Sequence, residues 1–286
     1  MTDATTTPMT GAGTTAATNR HYDLHPDVFA LFLDPRLKYS SGRYAPEDTL
    51  EAAQTRKLHF VAGQLGLKGG EKLLDVGCGW GSLALFMAKE YGCQVVGISP
   101  AGRQRAYVEE HAARWGVDIT LRDGLFERTD FGSERFDALT MLGSIVHMPD
   151  LTAVYAKART LLRPGGTVYV SETCFRNTAA YRRFQESDGA SFVRNDIFGF
   201  GDMRPLSQLV AAAEDAGLSV IGVTDLTDDY RRTIEHWLEN VRRNADRIDA
   251  VQPGGTSARL ARYLQVANAG WGYTTKHYAL VARRTR

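Results

Sequence analysis

The stretch Asp75-Val76-Gly77-Cys78-Gly79-Trp80-Gly81 constrains the fold of this chain more than any other. A short apolar run, Lys72-Leu73-Leu74, precedes it, and a helix-forming run from Ser82 to Glu90 follows. Strand, glycine-rich turn and helix, in that order, are how an α/β sheet offers backbone N–H groups and a carboxylate to a nucleotide-like ligand. Glycine lets the backbone take positive φ, or approach a ligand where a Cβ would clash. A plain strand-to-helix turn would use the same residues, so the neighbouring sequence has to decide between the two.

The spacing is G-x-G-x-G with an aspartate two residues before the first glycine, not the G-x-G-x-x-G of dinucleotide enzymes. No Gly-Lys-Ser/Thr follows, which argues against a nucleoside triphosphate. The stretch resembles the S-adenosylmethionine (SAM) loop of class I methyltransferases. SAM lacks a pyrophosphate, so such a loop serves its methionine end and ribose, and the resemblance makes Asp75 the loop acid.

The rest of the chain is patterned to match. Strands are expected at about 72–76, 94–99, 118–122, 136–142, 166–172, 219–225 and 276–283, interleaved with helical stretches. This alternation predicts an α/β fold, a doubly wound, mostly parallel, Rossmann-like seven-stranded sheet. The last strand is a candidate antiparallel hairpin partner. Residues 1–20, rich in Thr and Ala, are too poor in large apolar side chains to fold and are expected to be a disordered tail. Residues 21–70 read as an N-terminal helical segment covering the active site, with helices from Pro26 to Leu33 and from Pro46 to Leu65. Residues 71–286 are expected to form the SAM-binding methyltransferase domain. Within it, about 174–204 is a long, aromatic-rich connection at the carboxyl edge of the sheet, expected to be a lid over an apolar pocket.

Charge is nearly balanced, with 34 basic and 33 acidic residues, which argues against a nucleic-acid partner. The three cysteines are widely spaced without a C-x-x-C, so no disulfide framework or zinc site is expected. No run of 18 apolar residues occurs, so no stable membrane insertion is expected, and a cytoplasmic location fits.

More specific motifs extend the resemblance. His21-Tyr22-Asp23-Leu24, Phe32-Leu33-Asp34-Pro35, Tyr39-Ser40-Ser41-Gly42, Leu50-Glu51-Ala52-Ala53-Gln54, Val95 to Ser99, Gln104, Tyr230, Thr233 and Trp237 resemble the cyclopropane fatty acid synthase family. That resemblance implies SAM contacts at Tyr39, Ser40, Gly77, Gly79, Ser99 and Gln104, with Gly143 near the methionine end. Asp123, ending the third strand, falls where class I enzymes often meet the adenine amino group. Cyclopropane synthases hold a bicarbonate base with a Cys, a Glu and a His at positions that are Ser41, Val146 and Ser171 here; His147 and Tyr230 remain. Bicarbonate-assisted cyclopropanation is therefore in doubt.

Glu172 looks compensatory, because it falls at the carboxyl end of the apolar strand Val168-Tyr169-Val170. An unpaired carboxylate there has a raised pKa, which suits a general base; a strand-end ion pair is the competing reading. Glu172, Tyr230 and His147 are the catalytic candidates. Tyr22, Tyr169, Arg176, Phe184 and Phe198 are candidates for the substrate pocket. The resemblance implies methyl addition to an alkene, with aromatic faces steadying the cation. Arginines near the pocket favour an isoprenoid diphosphate as the hydrophobic small-molecule substrate, with Mg2+ as its accompaniment left open; no protein-bound metal site is expected. An unsaturated fatty acyl chain and N-methylation of a small amine are the alternatives, and self-association is left open.

Overall fold

The computed structural model describes residues 24–186 and 202–285. Tyr22, Phe198, the N-terminal tail and the middle of the expected lid lie outside them. The sheet order is β3-β2-β1-β4-β5-β7-β6. Strands β1 (Lys72–Val76), β2 (Gln94–Ser99), β3 (Ile119–Asp123), β4 (Phe136–Leu142) and β5 (Leu162–Phe175) are parallel. β7 (Thr275–Arg283) lies antiparallel between β5 and β6 (Ser219–Asp225). The strand order reverses between β1 and β4, so the loops leaving those two strands face one crevice, where open α/β sheets bind ligands.

Two layers of helix cover the sheet. On one face α5 (Leu151–Leu161) and α7 (Leu206–Asp215) place Val154, Tyr155, Ala158 and Leu209 against Leu139, Met141, Val168 and Val170. On the other, α2 (Leu50–Leu65) and α3 (Ser82–Tyr91) place Leu58, Val61, Leu83 and Met87 against Leu73, Val95 and Tyr169. The helix expected from Pro46 starts at Leu50, because Thr49 accepts a hydrogen bond from the Ala52 N–H and caps it there. Residues 174 and 175, expected in the lid, are strand: they pair with Lys276 and Thr275, and α6 (Thr178–Gln185) follows.

A third apolar cluster roofs the carboxyl edge. It joins α1 (Pro26–Phe32) to α8 (Thr227–Arg243), α9 (Ala245–Val251) and α10 (Thr256–Ala269) through Phe29, Phe32, Trp237, Leu260, Leu264 and Trp271. In α8 the buried residues Thr233, Ile234, Trp237, Leu238 and Val241 recur every three or four positions, the stripe of a helix with one dry face.

Candidate active site

Two cavities open at the carboxyl edge. The first, of about 280 Å³, is walled by the β1 loop from Val76 to Trp80, by Ser99, Ala101 and Gln104 after β2, by Gly124 to Arg128 after β3, and by Leu142 to Ser144 after β4. Leu37, Lys38 and Tyr39 close it from the N-terminal segment. Gly77 holds φ +76, and a Cβ there would sit 2.6 Å from Ser144 Cβ. The β1 and β4 loops thus touch, and the Ser144 hydroxyl fixes the contact by donating to the Val76 carbonyl at 2.7 Å. Gly79 holds φ +55, and a Cβ on it would meet nothing within 4 Å. The same holds at Gly143, so both positions give backbone access to empty space in the cavity wall.

At the far end, the Ser99 hydroxyl donates to Gln104 Oε1 at 3.3 Å, and Arg105 holds the Ser99 carbonyl at 2.7 Å. Two of the expected cofactor acids are placed otherwise than the sequence suggested. Asp123 does not line the cavity: its side chain is 71 % exposed and pairs with Arg105 at 2.8 Å. Asp75 lies behind the loop, buried, accepting from the Thr140 hydroxyl at 2.9 Å.

The Tyr39-Ser40 turn is held from below by α2. Gln54 Nε2 donates to the Ser40 carbonyl at 2.8 Å and Lys57 Nζ to the Ser40 hydroxyl at 3.2 Å. Lys38, Lys57, Asp34 and Asp75 form a buried set of two ammonium and two carboxylate side chains beneath this turn. Composition and spacing gave no hint of it.

The second cavity, of about 570 Å³, meets the first at Tyr39, Gly143 and His147, which line both. Its walls include Tyr230, Ile234, Trp237, Tyr263, Leu264 and Trp271 from the helical roof, and Glu172, Phe175 and His277 from the sheet. Arg176, Arg183 and Phe184 also line it. Aromatic rings dominate: Tyr39 lies 5.1 Å from Trp237, and Tyr230 lies 5.1 Å from Trp271 and 4.7 Å from His277. Tyr169 belongs to neither cavity. It sits three residues before Glu172 in the strand, about 10 Å deeper into the sheet, on the opposite face, packed edge-on to Phe60. The expectation that it lined the substrate pocket is corrected on that ground.

Glu172 is 6 % exposed. Its Oε2 accepts from the Val146 backbone N–H at 3.2 Å and its Oε1 from the Thr173 N–H at 2.9 Å. Among the described residues no cation lies within ion-pair distance of it, and burial raises its pKa to about 7 despite those two bonds. Of the positions where relatives carry bicarbonate ligands, Val146 lines the cavity, whereas Ser41 and Ser171 are buried and do not. His277, which sequence reasoning missed, has Nδ1 3.2 Å from the Thr173 hydroxyl and, among the described residues, no partner for Nε2. Burial and the Lys57 charge push its pKa down to about 3, so it is neutral. Its position directly across from Thr173 follows from the β5–β7 register, which sequence alone does not supply.

The sheet order and the glycine loop at its switch point define a class I SAM-dependent methyltransferase. The chain belongs to the mycolic acid cyclopropane synthetase family, whose model matches residues 12–278. It is 30 % identical over 263 residues to cyclopropane mycolic acid synthase 1 of Mycobacterium tuberculosis, covering 85 % of this chain and 88 % of that one. It is 32 % identical over 246 residues to sphingolipid C9-methyltransferase 1 of Gibberella zeae, covering 80 % of this chain but only 46 % of that protein. The chain spans about half the length of the two sphingolipid C9-methyltransferases it matches. A crystal structure of a mycolic acid cyclopropane synthase with S-adenosylhomocysteine (SAH) and CTAB superposes with a TM-score of 0.84 at 25 % identity, over 94 % of this chain and 98 % of that one. The family and the fold are therefore those of SAM-dependent methyltransferases, and the first cavity fits the cofactor: bare glycine backbone, a Ser–Gln pair at one end and a lysine at the other. No described helix is long and apolar enough to cross a membrane.

Proposed function

We propose that the enzyme methylates a carbon–carbon double bond in an unsaturated acyl chain, with Glu172 as the base that takes the proton. The observation that carries this is a buried carboxylate, with no cation beside it among the described residues, on the wall of an aromatic-lined cavity that adjoins the cofactor cavity. SAM, when bound, supplies an electrophilic methyl on a sulfonium. The residues around Tyr39, Gly143 and His147 hold the alkene where the two cavities meet, so its π pair faces the methyl and water is kept out. The π pair would take up that methyl as the methyl–sulfur bond breaks, with the bonding pair left on sulfur, and the positive charge would pass to the adjacent carbon. The faces of Tyr39, Tyr230 and Trp237 steady that cation. Loss of a proton from a neighbouring carbon to Glu172 returns its electron pair to the chain and restores a methylated alkene; loss from the new methyl would close a cyclopropane.

The acyl reading draws on relatives named for sphingolipid and mycolic acid substrates, which favour it over the isoprenoid diphosphate expected from sequence. One observation keeps the isoprenoid as a second reading: Arg176 and Arg183 line the second cavity and, among the described residues, pair with no carboxylate. The test is transfer of labelled methyl from SAM to unsaturated acyl lipids, prenyl diphosphates and small amines side by side. Label in an acyl product that retains a double bond is expected. Label only in a prenyl or amine acceptor overturns the acyl assignment, and a cyclopropane product overturns the proposed site of deprotonation.

A further inference from the structure

Lys38 is an anomaly in the cofactor cavity. It lines that cavity at the end shared with Tyr39, Gly77 and Gly143, opposite the Ser99–Gln104 end. The residue is only 8 % exposed, yet among the described residues its ammonium has no hydrogen-bond partner and no carboxylate within 4.0 Å. Its fixed bond is through the backbone, whose N–H donates to Asp34 Oδ1 at 2.8 Å. The neighbouring acids are occupied elsewhere and do not line the cavity: Asp34 accepts the Lys38 and Arg36 N–H groups, and Asp75 accepts the Thr140 hydroxyl. A buried ammonium is costly unless something pairs with it. Asp75 and Asp34 lie near enough to offset part of that cost, but burial still holds the lysine below its ordinary pKa. Lys38 thus lines the open cavity, whereas the charged groups nearest it, Asp34, Asp75 and Lys57, do not.

We infer that Lys38 is the receptor for the α-carboxylate of the cofactor's amino-acid end and sets the enzyme's preference for ligands that carry that carboxylate. A carboxylate in the cavity would complete a charge-assisted hydrogen bond to the free ammonium. It would do so at the end nearest the second cavity, where the methionine portion has to lie for the methyl to reach the acceptor. The inference rests on the cofactor assignment alone and is independent of which acceptor is methylated.

The test is a binding measurement by calorimetry without any acceptor, using SAH and its decarboxylated analogue, which keeps the adenosine, the thioether and the amine. The wild-type enzyme is expected to bind SAH more tightly. Lys38→Met should weaken SAH by about 10- to 100-fold, the range for a hydrogen bond to a charged group, and leave the analogue within about threefold of wild type. Equal loss for both ligands would overturn the inference and make Lys38 a support for the loop. An unchanged SAH affinity would overturn it as well. Should Lys38→Met fail to fold by circular dichroism, the wild-type enzyme still decides, since equal affinities for SAH and the analogue leave no carboxylate receptor to assign.

Discussion

The two cavities share three wall residues but are built in opposite ways. The cofactor cavity is made of loops that leave consecutive parallel strands, so short contiguous segments supply it: Val76 to Trp80, Ser99 to Gln104, Gly124 to Arg128 and Leu142 to Ser144. Gly77, Gly79, Gly124 and Gly143 are part of its wall, and glycine is what makes backbone accessible. The proposed substrate cavity draws on α6, α8, α10, β5 and β7 as well as on Tyr39 and His147, so its wall runs in sequence from Tyr39 to His277 and is brought together by the helical roof. A cofactor of fixed shape can be read by a local motif. An apolar acceptor is read by volume and aromatic faces, which only the tertiary packing defines.

The largest effect that separates the two cavities is expected at Glu172. Removing a positioned general base costs about 10²- to 10⁴-fold in rate, so Glu172→Gln should lower kcat by that factor. SAH affinity should stay within about twofold, because Glu172 does not line the cofactor cavity. A parallel loss of SAH binding would show that the cavities are not independent. With the base required in its ionised form, the wild-type kcat should rise with pH through about 7 and level off above it.

Gly77→Ala strikes the other cavity. It combines a positive φ with a Cβ 2.6 Å from that of Ser144. Left-handed backbone costs a residue with a Cβ about 1–2 kcal/mol, and crowding adds about 1–3 kcal/mol. A loss of roughly 2–5 kcal/mol of stability is expected in urea unfolding, with weaker SAH binding. An enzyme that binds SAH normally would break the claim that contact between the β1 and β4 loops shapes the cofactor site.

That contrast also sets what was legible in the sequence. The sheet, the places of its strands and the glycine loop were readable because strand periodicity and turn chemistry are local, although the fifth strand runs from Leu162 to Phe175 rather than over 166–172. Gly79, Ser99, Gln104 and Gly143 fell on the cofactor wall, where the family resemblance implied them. Glu172 was legible as a carboxylate ending an apolar strand. The misreadings have tertiary causes: Asp123 is drawn outward by Arg105, and Tyr169 lies too deep and on the wrong face. His277, Trp271 and the Lys38–Lys57–Asp34–Asp75 set gave no signal, since apart from the local Asp34–Lys38 contact each depends on partners tens to hundreds of residues away.

A smaller effect tests whether Glu172 and His277 are as dry as their cavity implies. Glu172 titrates near 7 in the folded protein against an ordinary 4.5 for the unfolded chain. The native protein therefore holds the extra proton between those values and gains stability as pH falls through that window. His277 titrates near 3 folded against 6.5, so the unfolded chain holds the extra proton and stability is lost as pH falls below 6.5. Between 4.5 and 6.5 the two slopes oppose each other. Removing the first by Glu172→Gln should steepen the acid loss by up to about 1.4 kcal/mol per pH unit. Urea unfolding at several pH values in that window reads it, and an unchanged slope would mean that Glu172 is solvated.

The smallest effect is expected at Asp123, where sequence and structure disagree about the cofactor cavity. If the carboxylate met the adenine amino group, Asp123→Asn would cost a charge-assisted hydrogen bond and weaken SAH by about 10-fold or more. In the structure its side chain is exposed and committed to Arg105, while the neighbouring Gly124 lines the cavity in its place. Exposed ion pairs contribute about 0–1 kcal/mol, so SAH affinity should fall by no more than about threefold. Arg105 also holds the Ser99 carbonyl, which gives it a second anchor when the aspartate is gone. A loss of 10-fold or more would mean that Asp123 leaves Arg105 when the cofactor binds, and that the adenine end of the site is completed only by its ligand.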